Sequence, residues 1–303
     1  MSKVCVLGSI NLDIVYKVRN MPLIGQTIMG ESLEYIPGGK GANQAVAVRR
    51  MGAEVSFIGK VGKDDNGKSL VEKLKSEGIN TDYIFNDDKS STGTAIIAVN
   101  GHGNNSIVVI PGSNMTINHS QLEQAKAAIK ASDILVAQFE TPVDITIKAF
   151  KFARENGIIT ILNPAPAKEI SEELLEYTDI IIPNETETEQ LSRIPAISQE
   201  NIKEAGRFFV DKGIKYAIIT LGEKGAAIVS EENFEIVPAY KVKAVDTTAA
   251  GDCFIGALVS KLQGNKLSFN SIKEAVAFGN KASSITVQRP GAQPSIPRLE
   301  ELI

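Results

Sequence analysis

The chain has 303 residues, 43% of them hydrophobic and 22% charged, which is ample for a full core and excludes a disordered or low-complexity protein. Its 36 acidic and 32 basic residues leave a net charge of -4, so nothing global draws it to nucleic acid or an anionic membrane. Two distant cysteines, Cys5 and Cys253, form no disulfide framework or metal-ligand spacing, and the apolar run 4–7 is too short for a signal peptide; a cytoplasmic enzyme is the expectation.

In chain order, residues 4–7 form the first strand candidate. Residues 13–35 then alternate apolar and polar, as a half-exposed strand pair does. A glycine-rich turn opens a helix at 44–51, a strand follows at 55–58, and a helical stretch covers 69–76. Segments 94–99 and 106–110 flank Asn100-Gly101-His102-Gly103-Asn104, a hairpin signal. Further strands are predicted at 134–139, 158–162, 180–182 and 217–221, with helices at 121–130, 143–156 and 201–212 between them. A hairpin at 226–229 and 235–237 and two helices, 251–263 and 272–287, close the chain. The strands are continuous Ile/Val/Leu runs, as in a parallel sheet buried on both faces, so the alternation argues a doubly wound α/β fold. The segments near 13–36 and 92–111 stand outside that rhythm. They read as a small antiparallel sheet inserted in two pieces and standing outside the α/β core, with an antiparallel edge on the main sheet as the alternative.

Residues Gly62-Lys63-Asp64-Asp65-Asn66-Gly67-Lys68-Ser69 match the P-loop pattern, between a strand and a helix. A P-loop cradles phosphates with bare backbone N–H groups, and here Asp64 and Asp65 would put two carboxylates in the cradle. A tight turn with an aspartate capping the next helix accounts better for the segment.

Ligands of an open parallel sheet bind beyond the carboxyl ends of its strands. Those positions hold Asn11 and Asp13, Glu140, Asn163-Pro164-Ala165-Pro166, Asn184 and Glu187, and Gly222 and Gly225. Any one of them alone is an ordinary cap or turn residue; together on one rim they argue a single polar cleft. Gly38-Gly39-Lys40-Gly41-Ala42-Asn43 lets backbone approach a ligand at a helix start. Asp246-Thr247-Thr248-Ala249-Ala250-Gly251-Asp252 exposes unpaired N–H groups at the positive end of the next helix, with Asp252 beside them. Anion hole plus carboxylate suits phosphoryl transfer. A helix N-terminus is expected to lower the pKa of Asp252, which a loose transition state tolerates. His102 and His119 are expected in solvent.

Together with Gly8-Ser9-Ile10-Asn11-Leu12-Asp13, Gln44-Ala45, Pro183-Asn184-Glu185-Thr186-Glu187, Thr220-Leu221-Gly222 and Gly291-Ala292-Gln293-Pro294-Ser295, these motifs resemble the ribokinase-like (phosphofructokinase-B type) carbohydrate kinases along nearly the whole chain. The segments Asn163 to Ala167 and Gly291 to Ser295 point to the ribokinase branch. The resemblance implies one ribokinase-like domain over 1–303, with a β lid drawn from about 13–36 and 92–111. It implies ATP-dependent phosphorylation of D-ribose at its 5-hydroxyl. Asn11, Asp13, Gly39, Lys40, Gly41, Asn43 and Glu140 would hold the sugar. Asp252 would be the base, and the backbone of Ala249, Ala250, Gly251 and Asp252 the anion hole. Thr220, Leu221, Gly222, Glu223, Lys224, Gly225 and Gly251 would line the nucleotide phosphates, with Asn280 near the adenine. Asn184 and Glu187 would organise Mg²⁺ through waters. A monovalent cation, usually K⁺, would lie among Asp246, Thr248, Thr286, Arg289, Gly291 and Ser295. The lid also implies a homodimer.

Cys253 stands where a threonine is common in the family, and Asn280 where some relatives carry histidine. The rivals are another kinase of the same fold, acting on fructose, a deoxy sugar acid or a nucleoside, and a sugar-binding regulator without turnover.

Overall fold

The computed structural model describes residues 2–102, 104–262 and 267–302; the expected turn residue Gly103 and helix end Gln263 lie outside them. The core elements begin with β1 (Lys3–Leu7), α1 (Lys40–Arg50), β4 (Glu54–Gly62), α2 (Asp65–Ser76) and β5 (Asn80–Asp87). There follow α3 (His119–Lys130), β8 (Ile134–Ala137), α4 (Val143–Glu155), β9 (Ile159–Leu162), α5 (Glu172–Glu176), β10 (Ile180–Ile181), α6 (Glu185–Ser192), α7 (Gln199–Val210) and β11 (Tyr216–Thr220). Strands β12 (Ala226–Val229) and β13 (Phe234–Val237) and helices α8 (Ala250–Lys261) and α9 (Phe269–Thr286) complete the core. Between these, β2 (Asn11–Val18), β3 (Ser32–Gly38), β6 (Gly93–Asn100) and β7 (Asn105–Ile110) form a separate four-stranded sheet.

The main sheet runs β13-β12-β11-β10-β9-β8-β1-β4-β5. It is parallel from β11 to β5, with the final hairpin antiparallel. Alternation along β1 serves both faces. Val4 and Val6 join the core beneath α1, α2, α8 and α9, while Cys5 and Leu7 join the one beneath α3, α4 and α7. From β1 the chain winds out to β4 and β5, then returns to β8 and winds the other way. The crevice between the carboxyl ends of β1 and β8 is therefore the topological switch point, where an open α/β sheet takes its ligand.

The inserted sheet has order β3-β2-β6-β7 and is not an edge of the main one. Its outer pairings are antiparallel, but the central β2–β6 pair is parallel. β2 and β6 leave the core from the carboxyl ends of β1 and β5, parallel strands of one sheet, and so run outward in the same direction. Strand β5 carries no clear alternation in sequence, because it is a half-exposed edge. Helices α1 and α2 start four residues ahead of their apolar periods. In α2 the start is fixed by Asp64, which caps it by accepting from Gly67 N–H at 2.8 Å and also takes the Thr92 N–H. Gly67, Lys68 and Ser69 thus lie inside a helix and no phosphate-binding loop remains.

Helices α1 and α8 meet at Gly256. A Cβ there would fall 2.8 Å from Val48 N and 2.9 Å from Gln44 O, so the two helices touch almost backbone to backbone. Gly256→Ala should lower stability by about 1–3 kcal/mol through overpacking, read as a reduced denaturation midpoint at unchanged m-value.

Candidate active site

The sequence Gly8-Ser9-Ile10 carries the chain off β1 directly beneath the start of α1. A Cβ on either Gly8 or Gly41 would lie 2.6 Å from the other's Cα, so only glycine at both positions allows this approach. Ser9 fixes the junction. Its carbonyl accepts from Ala42 N–H at 2.9 Å, its hydroxyl accepts from Gly41 N–H at 3.3 Å, and that hydroxyl donates to Glu140. Glu140 also takes the Lys40 N–H at 3.2 Å, so the loop after β8 is tied across the switch point to α1.

Asn11 and Asp13 enter from β2, at the base of the separate sheet. The Asn114 amide donates to Asn11 Oδ1 at 2.7 Å and accepts from Ile10 N–H at 2.9 Å, holding the strand where it leaves the core. Asp13 is pushed up to about 7, first by burial and then by the charges of Glu140 and Asp252.

At the far side Asp252 sits in the first turn of α8, with both carboxylate oxygens taken by α1. Asn43 Nδ2 donates to Oδ2 and Gln44 Nε2 to Oδ1, each at 3.0 Å. Burial raises the pKa of Asp252 against the lowering pull of Lys40, Asn43 and Gln44. The expectation from the helix dipole alone has the wrong sign, because the carboxylate is only 8% exposed and loses more hydration than the helix end returns. Burial lowers Lys40, but Asp252, Glu140 and Glu187 together raise it, so it stays charged among three carboxylates.

Ala249 adopts a left-handed conformation (φ 59°) and turns the chain into α8. Ala250 N–H is spent on Thr247 O at 3.2 Å, while Cys253 N–H closes on Ala249 O at 2.8 Å. The N–H groups of Ala249, Gly251 and Asp252 have no acceptor among the described residues. They face a cleft of about 220 Å³ lined also by Lys40, Asn163, Asn184, Glu187 and Thr220. Lys40 lines this cleft within charge range of Asp252, Glu140 and Glu187. A larger hollow of about 1060 Å³ around Arg154, Asp179 and Lys215 opens at the amino ends of β9 and β11, the wrong rim for a ligand of this sheet.

Asn184 and Glu187 form a reciprocal capping box on α6: Glu187 N–H donates to Asn184 Oδ1 at 2.7 Å, and Asn184 N–H to Glu187 Oε2 at 2.9 Å. Burial raises Glu187. Leu221, Gly222, Glu223, Lys224 and Gly225 form the turn after β11, closed by Leu221 N–H on Gly225 O at 2.8 Å. The Asn280 amide donates to Val237 O at 3.0 Å and Pro238 O at 3.2 Å, which anchors the chain leaving β13. Asp246 bridges two loops, taking Thr248 N–H at 2.9 Å and Gly291 N–H at 2.8 Å, and these bonds hold its carboxyl below the usual range despite burial. Arg289 turns its guanidinium away onto Glu301. Thr286 and Ser295 are buried beside these loops. The Cys253 thiol is pushed up to about 12 by burial and stays neutral. His102 and His119 lie away from the cleft.

The model of the pfkB carbohydrate kinase family matches residues 1–299. The chain belongs to this family. Among individual pfkB carbohydrate kinases, a ribokinase of Staphylococcus aureus is 46% identical over 302 residues, covering 99% of this chain and 98% of that protein. A deoxyribokinase of Salmonella typhi is 35% identical over 299 residues, or 98% and 96% of the two chains. The structure of Arabidopsis thaliana ribokinase complexed with ribose and ATP superposes with a TM-score of 0.91, at 31% identity over 99% of this chain and 97% of that one.

Four polar residues of the cleft carry no predicted role in the sequence: Ser9, Asn114, Gln44 and Gln138. Gln138 was open to detection, since a glutamine inside the otherwise apolar run 134–139 demands a buried partner. Asn114 lies in a short 3₁₀ turn with no periodic pattern to mark it. At Gly251, which lines the cleft, an added Cβ would meet no protein atom within 4 Å. Gly251→Ala should leave thermal stability unchanged within about 0.5 kcal/mol yet cut kinase turnover about 10- to 100-fold, measured by coupled ADP release.

Proposed function

We propose that the protein is a ribokinase, transferring the γ-phosphoryl group of ATP to the 5-hydroxyl of D-ribose. The observation that carries this reading is Asp252: a buried carboxylate of raised pKa, clamped by α1, beside free N–H groups at the start of α8. Family membership and the strong identity to a ribokinase support the choice of sugar.

In this reading Asn11, Asp13, Gly39, Gly41, Asn43 and Glu140 hold the sugar hydroxyls. Asn43 Oδ1 is buried without a partner and is free to accept one. Asp252 receives the proton of the acceptor hydroxyl as the phosphorus–oxygen bond forms, and its burial makes it a better base than a solvated aspartate. The negative charge spreading over the transferred group meets the backbone N–H groups of Ala249, Gly251 and Asp252 and the ammonium of Lys40, none of which needs to move. Thr220, Leu221, Gly222, Glu223, Lys224 and Gly225 flank the remaining phosphates, and Asn280 lies toward the adenine.

Asn184 and Glu187 fit a magnesium ion through water. One carboxylate oxygen of Glu187 is already spent on the capping box, and among the described residues no three acidic, histidine or cysteine side chains converge as a metal cage. Bound there, Mg²⁺ would neutralise phosphate charge. Asp246, Thr248, Thr286, Arg289, Gly291 and Ser295 would hold a hard monovalent cation such as K⁺, chiefly through backbone carbonyls. Asp246 supplies the formal counter-charge and ties the 246–248 loop to Gly291. The cation would stiffen the loop that ends in the anion hole.

The separate sheet serves as the lid over the sugar. Its edge strand β7 exposes Ile107, Val108, Val109 and Ile110, each 44–58% accessible, and β3 exposes Leu33 and Tyr35. Such a face favours a second copy, hence a homodimer through the lids. No helix among the described residues is long and apolar enough to cross a membrane, and two buried unpaired cysteines suit the cytoplasm.

The test is ADP release with MgATP and ribose, 2-deoxyribose, fructose or adenosine, with and without K⁺, on wild type and Asp252→Asn. We expect ribose-dependent turnover that rises with K⁺. Asp252→Asn should lose about 10²–10⁴-fold in kcat while calorimetry still registers ribose binding. Turnover restricted to another acceptor removes ribose, and bound ribose with no turnover by wild type points to a regulator.

A further inference from the structure

Between β8, α1 and α8 lies a chain of buried side-chain amides that ends on Asp252. Gln138, at the carboxyl end of β8, donates from Nε2 to Gln44 Oε1 at 2.7 Å. Gln44 Nε2 spends both of its hydrogens, one on Asp252 Oδ1 at 3.0 Å and one on Asn163 Oδ1 at 3.1 Å. Asn163 Nδ2 donates onward to Ile182 O at 3.0 Å. Gln44 and Gln138 are fully buried, so neither amide can trade its bonds for water.

A primary amide has nearly the same shape turned end for end, but its two ends are opposite in polarity. Reversed, Gln44 would set its oxygen against two acceptors, Asp252 Oδ1 and Asn163 Oδ1. Asn163 cannot reverse to relieve this without stripping Ile182 O of its donor. Gln138 holds the other end of Gln44, and its own Oε1 is buried with no partner. The arrangement therefore spends one unsatisfied acceptor on Gln138 to keep the donor end of Gln44 against the aspartate. Asn43, the preceding residue, secures only the other carboxylate oxygen.

We propose that Gln44 is a positioning residue for Asp252, and that Gln138 determines which way round Gln44 sits. For its effect on turnover this rests on Asp252 being the base; for its geometry it does not. The groups facing Asp252 are Lys40, Asn43 and Gln44 on α1, Asp13 on β2, Glu140 beyond β8 and Glu187 on α6. Of these, only Lys40, Asn43 and Gln44 stabilise its charged form. Loss of the Gln44 donor should thus raise the pH at which Asp252 ionises and rotate its free lone pair away from the sugar.

The experiment uses Gln44→Met and Gln138→Met, which keep side-chain length and remove the amide. The Asp252 carboxyl carbon is followed by ¹³C NMR against pH, its resonance assigned by its disappearance in Asp252→Asn. We expect the Asp252 midpoint to rise by about one pH unit in Gln44→Met, and in the same direction in Gln138→Met, which leaves both donors to Asp252 in the chain. Turnover should fall about tenfold in Gln44→Met with the sugar KM within about twofold of wild type. Midpoints and kcat at wild-type values in both variants, with only thermal stability lowered, would reduce the amides to packing and overturn the proposal. A midpoint that moves while kcat holds sustains the positioning and removes Asp252 as the base. Should Gln44→Met fail to fold, the midpoint in Gln138→Met decides alone.

Discussion

The contact on which the rest depends is the grip of α1 on Asp252. Two consecutive residues, Asn43 and Gln44, each give one amide hydrogen to one carboxylate oxygen at 3.0 Å. That is possible only because Gly256, one turn further along α8, lets the helices touch. At its other end α1 is seated on β1 through the Gly8–Gly41 approach and Ser9. The proposed sugar-binding residues and the proposed base are thus referred to a single rigid element, which is what a reaction that relies on positioning requires.

Charge explains the remaining architecture. Glu140, Glu187 and Asp252 share Lys40 as their common cation, and Asp13 faces Glu140 and Asp252. In the proposed function a neutral sugar would tolerate that excess of carboxylates and use them as acceptors. A nucleoside triphosphate would not. The free N–H groups at the start of α8, Lys40, and the magnesium and monovalent-cation positions proposed here are all sources of positive charge on the nucleotide side. The partition also accounts for the lifted pKa values of Asp13 and Asp252, each buried within reach of other carboxylates.

Much of the fold was legible because a buried parallel sheet writes each strand as an unbroken apolar run. Strands β1, β8, β9 and β11 follow their runs to within two residues. Edge strand β5, half-exposed with polar ends, carries no such mark. The parallel β2–β6 pairing was hidden for a different reason: it follows from where two strands exit the core, which local patterning does not encode. Within the site, glycine-rich turns and rim carboxylates stood out because their chemistry is unusual at those positions. Gln44 and Gln138 did not, since an amide declares its role only through its partners. The pKa of Asp252 went the wrong way from sequence because the helix start was visible and the depth of burial was not.

The central claim is that Asp252 acts as a base on the sugar hydroxyl, and not as a nucleophile on phosphorus. Both of its oxygens are held by amides of α1, an arrangement suited to taking up a proton and poorly suited to carrying a phosphoryl group. The stereochemical course of transfer from ATP chiral at the γ-phosphorus separates the two. A single in-line displacement by the hydroxyl predicts inversion at phosphorus in the sugar phosphate. Retention, the signature of two displacements through a phosphorylated enzyme, would contradict it.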